Sequence, residues 1–207
     1  MVFFLYVVFF LSDTFHFTAT SVNCEGRNMT EIPAVLLGHG GLEIHGLDLS
    51  HNQVTHVDLA FLRHLPALRS LSLRANGVRA LSKKVHQDFK PLYSLTHIDL
   101  SDNVLHVIHP YVFTGFPHLK TLNLSGNVLH TISENAFNLP RLQTLDLSRN
   151  QLEVVYPHFF SSSPESISEI DLSRNGISRL NDGTFGHIRE VSNKKDEFQM
   201  NFNQKKT

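Results

Sequence analysis

Apolar side chains recur along this chain at fixed intervals. In Leu142–Leu152, LQTLDLSRNQL, they stand at the first, fourth, sixth and eleventh places, with Asn150 at the ninth and polar residues between. The same pattern begins at Ile44, Leu68, Leu95, Leu119, Leu142 and Ile167, and successive Asn positions are 24, 27, 24, 23 and 25 residues apart. Inside each copy the triplet around the central polar residue alternates with period two. That predicts a short strand with Leu145 and Leu147 facing in, and Thr144, Asp146 and Ser148 facing out. Leu152 and Val155 then carry the chain back across the interior. Phe160 fills the far side, as do Phe113, Phe137 and Phe185 in their own copies; Phe89 does so after a three-residue insertion, and Leu62 takes the place in the first. A coil of about 24 residues has too little apolar surface to fold alone, so neighbours must stack and share one core. The strands then line up in a parallel sheet at a spacing of roughly 4.8 Å.

Over residues 22–191 this consensus and repeat length resemble the leucine-rich-repeat family, in particular the extracellular repeats of Slit-type guidance proteins, matrix proteoglycans and Toll-like receptors. The resemblance implies an α/β solenoid: a curved horseshoe with its parallel β-sheet on the concave face, six repeats following an amino-terminal cap coil. It also implies that Asn52, Asn76, Asn103, Asn127, Asn150 and Asn175 turn inward and bond backbone groups at the bend. Shifted by 25 residues, Val22, Cys24, Met29 and Ile32 fall on Leu47, Leu49, Val54 and Val57, which places the cap coil in register with the repeats. Caps of this family usually carry several disulfide-linked cysteines. Here Cys24 stands alone, as a buried small hydrophobe or as an intermolecular bridge.

The chain divides into a leader (1–21), the cap coil (22–43), the repeats (44–191) and a polar tail (192–207). Val2–Leu11 is an unbroken run of ten apolar residues, and the small residues Ala19 and Ser21 suit leader cleavage after Ser21. The run is too short for an anchor, which needs about 20 apolar residues. The expectation is therefore a secreted chain, or the ectodomain of a longer membrane protein. Irregular spacing falls away from the strands, in the insertion at 81–89, at Asn138-Leu139-Pro140 and in Ser161-Ser162-Ser163-Pro164. A seventh copy would start at Val191, but Lys194 and Asp196 stand where it needs apolar residues. The tail reads as disordered, or as one more strand through Phe198, Met200 and Phe202.

Composition adds little and excludes some classes. With 41 % hydrophobic residues the chain can bury a sizeable core, and a net charge of −1 favours neither nucleic acid nor an anionic membrane surface. Interest therefore falls on the outward rows of the sheet, the face this family most often uses to bind proteins. One row is Asp48, Ser72, Asp99, Asn123, Asp146 and Asp171. A second is Ser50, Arg74, Ser101, Ser125, Ser148 and Ser173, and a third is His51, Ala75, Asp102, Gly126, Arg149 and Arg174. With Glu169, the charged members suggest a protein partner bearing Lys or Arg, oriented by an acidic middle (Asp99, Asp102) and the later Arg149 and Arg174. A plainer reading makes each Asp a tolerated consensus residue. Two glycosylation sequons occur, at Asn28 and Asn123. Of the fourteen histidines, His106 and His130 fall on equivalent places with Glu153 next, but a straight column diverges where a tetrahedral metal needs converging ligands. No catalytic motif is present, so neither enzyme, cofactor nor metal is expected. A protein-binding module of recognition, adhesion or signalling leads, ahead of a structural matrix component or a decoy fragment of a receptor.

Overall fold

The computed structural model describes residues 16–17, 20–33, 43–82, 90–156, 159, 166–180 and 190–192. Each copy contributes a three-residue strand that starts two places after its first apolar residue. In chain order the strands are β1 (His16–Phe17), β2 (Ser21–Asn23), β3 (Gly46–Asp48), β4 (His56–Asp58), β5 (Ser70–Ser72), β6 (Ala80–Ser82), β7 (His97–Asp99) and β8 (Val107–Ile108). They continue with β9 (Thr121–Asn123), β10 (Thr131–Ile132), β11 (Thr144–Asp146), β12 (Val154–Val155), β13 (Glu169–Asp171), β14 (Arg179–Leu180) and β15 (Glu190–Ser192). Nine form one sheet in the order β1-β2-β3-β5-β7-β9-β11-β13-β15, parallel throughout except for the antiparallel pair β1-β2. Val22, Leu47, Leu71, Ile98, Leu122, Leu145, Ile170 and Val191 face one another across it, one per coil. Equal steps of a period-two pattern allow no other register without turning the leucines outward.

One continuous core runs the length of the stack, from Val22 and Cys24 in the cap coil to Ile177. Leu62, Phe113 and Phe137 fill the side opposite the sheet and are fully buried, as is Phe116. Phe89, Phe160 and Phe185 lie outside the described residues, and Phe159 is buried beside the place expected for Phe160. Met29 and Ile32 pack against the core from the cap coil. A 3₁₀ turn, Leu59–His64, is capped by Asp58, whose side chain accepts a hydrogen bond from Ala60 N–H.

The return legs carry ladders of their own. β4 pairs with β6, β8 with β10 and β12 with β14, all parallel. Sequence periodicity marks their inward residues, such as Val155, but not the ladders themselves.

The bend after each sheet strand is built the same way every time. His51, Ala75, Asp102, Gly126, Arg149 and Arg174 all have φ between 51° and 66°, the left-handed region that side chains other than glycine enter at a cost of about 1–2 kcal/mol. The reward is a hydrogen bond onward: His51, Ala75, Asp102, Gly126 and Arg149 N–H donate to Arg74, Ser101, Ser125, Ser148 and Ser173 C=O at 2.8–3.0 Å. This reversal turns the next residue, the Asn, into the core.

Two expectations change. Ser148, placed outward by alternation, is buried, as are Ser50, Ser101 and Ser125, because the chain has begun its bend at that residue. Val191 does not begin a copy; it faces Ile170, the fourth place of the previous one. A shorter last connection brings Glu190–Ser192 into the ladder at that register. At the other end, Ser21 belongs to β2, and Thr20 C=O accepts His45 N–H at 2.7 Å. Residues 193–207 are outside the described part of the chain.

Cys24 is fully buried, and burial, reinforced by Asp48, pushes its thiol up to about 12. Between the ordinary 9.0 and about 12 the unfolded chain releases this proton while the folded chain keeps it. Stability therefore falls as pH rises through that window. At pH 8 a thiol reagent should leave the native chain unlabelled and modify it fully in denaturant. Native labelling at the rate of a free thiol, or a reducible dimer on a gel, would place this side chain at the surface.

Candidate binding face

The Asp row lies in register along the sheet: Asp48, Ser72, Asp99, Asn123, Asp146 and Asp171 each face the next. Ser72 and Asn123 interrupt the carboxylates, so Asp146 and Asp171 are the directly opposed like charges. Each acid also has a local task. Oδ1 of Asp48, Asp99, Asp146 and Asp171 accepts the backbone N–H of the serine two residues on, at 2.8–2.9 Å, which starts the bend. Ser72 Oγ accepts Arg74 N–H in the same way, at 3.5 Å. The row thus combines a structural hydrogen bond with a partly exposed charge at every acid.

Charges in the other rows come together more closely than linear spacing suggests. Arg74 takes the place of a buried serine and is exposed; its Nε donates to Asp102 Oδ2 at 3.2 Å. Arg149 reaches back 47 residues, across a whole coil, to give Asp102 Oδ1 a hydrogen bond from Nη2 at 3.0 Å. The coil it crosses presents Gly126, where a Cβ would collide with Asp102 Oδ1 and crowd the Arg149 guanidinium at 3.1 Å. Glycine is needed here for space as much as for its φ of 66°. Asp102, grouped from sequence with Asp99 as an acidic middle, is instead bracketed by two guanidinium groups. Half-exposed ion pairs add at most about 1 kcal/mol to stability, so this cluster matters chiefly for the charge pattern it displays. Arg174 is exposed one coil further on, Glu169 is exposed at the start of β13, and His51 stands 3.9 Å from Glu25 near the cap coil.

The two sequons sit differently. Asn28 is exposed, with φ of 55°. Asn123 is in β9, where its Oδ1 accepts both Ser125 N–H at 3.0 Å and the Ser125 hydroxyl at 2.8 Å. The rings of His106 and His130 meet edge to face at 6.4 Å, and among the described residues no three His, Cys, Asp or Glu side chains converge to hold a metal ion. Among those residues, too, no helix is long and apolar enough to cross a membrane.

Known proteins were compared with this chain by sequence and by structure. The family described as Leucine rich repeat matches over residues 68–129, 93–152 and 140–193. Transforming growth factor beta activator LRRC33 of Danio rerio is 32 % identical over 131 residues, covering 50 % of this chain and 19 % of that protein. Tsukushi of Rattus norvegicus is 31 % identical over 148 residues, covering 59 % of this chain and 40 % of the relative. A chain in the structure of the Drosophila Toll–Spatzle complex superposes with a TM-score of 0.65 at 20 % identity, over 78 % of this chain and 22 % of that one. The chain thus spans less than half the length of each of these proteins.

Proposed function

The chain belongs to the leucine-rich repeat family, and from that premise we propose that it is a secreted or cell-surface binding module which holds a protein partner on the outward face of the long sheet. The observation that carries this reading is the face itself. Short parallel strands in strict register present charged side chains in rows, while the leucines of the repeats and Phe113, Phe116 and Phe137 are, among the described residues, sealed inside. A broad surface of that kind suits a macromolecule; the small, closed and dry pocket that catalysis favours is a different architecture. The apolar run Val2–Leu11 supports export. One relative is named for activating a growth factor, which makes an extracellular signalling protein a reasonable first partner to try.

The face can be blocked without disturbing the fold. Asp146→Asn keeps the oxygen that accepts Ser148 N–H and creates the sequon Asn-Leu-Ser. Thr131→Asn creates Asn-Ile-Ser on the exposed return strand β10. Both would be made in an Asn123→Gln background, so that a natural glycan in the middle of the sheet does not confuse the result. Binding to a panel of extracellular ectodomains and growth factors, measured with protein secreted from animal cells, should fall at least tenfold with the Asp146 glycan and hold with the Thr131 glycan. Binding that survives the Asp146 glycan, or is lost with the Thr131 glycan instead, overturns the assignment of the face.

A further inference from the structure

We infer that the edge of this face carrying Arg74, Asp102 and Arg149 is a recognition point for a single carboxylate side chain set among Lys or Arg residues of the partner, an inference that rests on the sheet face being the binding surface. The first support is the charge count. Two guanidinium groups share the one carboxylate of Asp102, and Arg174 adds a third cation in the next coil. The second is the unused donor capacity. A guanidinium has five N–H donors, and towards Asp102 each arginine is joined through one nitrogen, Nε of Arg74 and Nη2 of Arg149. An incoming carboxylate can therefore bind the remaining fork of Arg149 side-on while Asp102 keeps both arginines in place. The third is construction. Gly126 leaves the passage through which Arg149 reaches Asp102, and a Cβ there would close it.

The neighbouring row narrows the partner's chemistry. Asp99 and Asp146 lie three residues upstream of Asp102 and Arg149 in their own coils. A long polyanion such as a sulfated polysaccharide would gain the arginines but run against these acids. A purely basic segment would gain the acids and meet the arginines. A segment with one Glu or Asp between Lys or Arg residues satisfies both rows at once, and the like-charge clashes exclude the alternatives.

The test uses the full secreted chain, labelled with ¹⁵N, and follows the Arg Nε–H signals during titration with four probes. These are the blocked peptide Lys-Glu-Lys, tri-lysine, tri-glutamate and a heparin hexasaccharide. The mixed peptide should shift the Arg74 and Arg149 signals and bind at least threefold more tightly than either homopeptide or the hexasaccharide. Arg149→Gln should remove that preference; Gly126→Ala should remove it as well, by displacing the Asp102 carboxylate, with an unchanged amide spectrum elsewhere. Preference for heparin identifies a polysaccharide site and overturns the inference, as do preference for tri-lysine or tri-glutamate, silence of both arginine signals, or indifference to Arg149→Gln. Loss of partner binding with the Asp146 glycan, combined with any of those results, would sink this inference alone. Survival of binding with that glycan would sink the choice of face.

Discussion

Asn103→Ala is expected to lower the unfolding free energy by about 1–3 kcal/mol, as measured by urea denaturation followed by circular dichroism. The side chain is buried and each of its polar atoms is engaged with backbone. Its Nδ2 donates to the carbonyls of Leu73, Leu100 and Ser101 at 2.9–3.1 Å, and its Oδ1 accepts Val78 N–H at 3.0 Å. Leu73, Leu100 and Ser101 C=O each keep a second donor, from Asn76, Asn127 and Ala75, so alanine leaves Val78 N–H without its partner, at a cost of about 1–3 kcal/mol. Asn103→Asp separates hydrogen bonding from shape. It has the same outline, but it puts a carboxylate oxygen where the amide donated, facing three carbonyl oxygens. It should destabilise at least as much as alanine at neutral pH and recover part of the loss in acid, when the carboxyl regains a proton. A denaturation midpoint unmoved by either change would remove the Asn row as a structural device. Asn52, Asn76, Asn127, Asn150 and Asn175 each tie their own coil to the preceding one in the same manner. Losing one should therefore loosen the stack locally, as expected of nearest-neighbour coupling in a solenoid.

What the amino-acid order made legible was whatever repeats with a fixed period. Leu145 and Leu147 could be placed inside because strands alternate, and Cys24 could be placed opposite Leu49 because the cap coil keeps the same step. The Asp row could be read down the sheet for the same reason, and the structure keeps that register from Asp48 to Asp171. Features that depend on where the chain bends were hidden. Ser148 follows the alternation in sequence yet sits inside, since its backbone N–H is already held by Asp146. The reach of Arg149 to Asp102 skips a coil, and no nearest-neighbour reading of columns looks two coils away. A signal was nonetheless present: Gly126 is the one glycine in its row among the six repeats, which marks a place where something crosses. Phe116 was missed for another reason. It falls three residues after Phe113, where one inward aromatic per coil had already been assigned.

Phe116 is therefore the more informative of the two aromatic positions. Phe116→Ala should cost about 3–5 kcal/mol, the range for removing a fully buried phenylalanine and leaving a cavity, and as much as Phe113→Ala. Both rings are wholly inaccessible, and Phe116 also holds the chain between two coil ends: its N–H donates to Phe113 C=O and its C=O accepts Leu119 N–H. The repeat that carries β9 begins at Leu119, so collapse around the missing ring would pull on the register that places Asn123 between Asp99 and Asp146. The cost should thus appear in two measurements, a lower denaturation midpoint and faster amide exchange in Thr121–Asn123. Tyr93, 59 % exposed with its ring edge on His118, is the matched control; its alanine variant should stay within about 0.5 kcal/mol of the parent. If Phe116→Ala were as mild as Tyr93→Ala, the side of the stack opposite the sheet would be a loose cover, and the face across from it would lack the rigid backing that fixed rows of charge require.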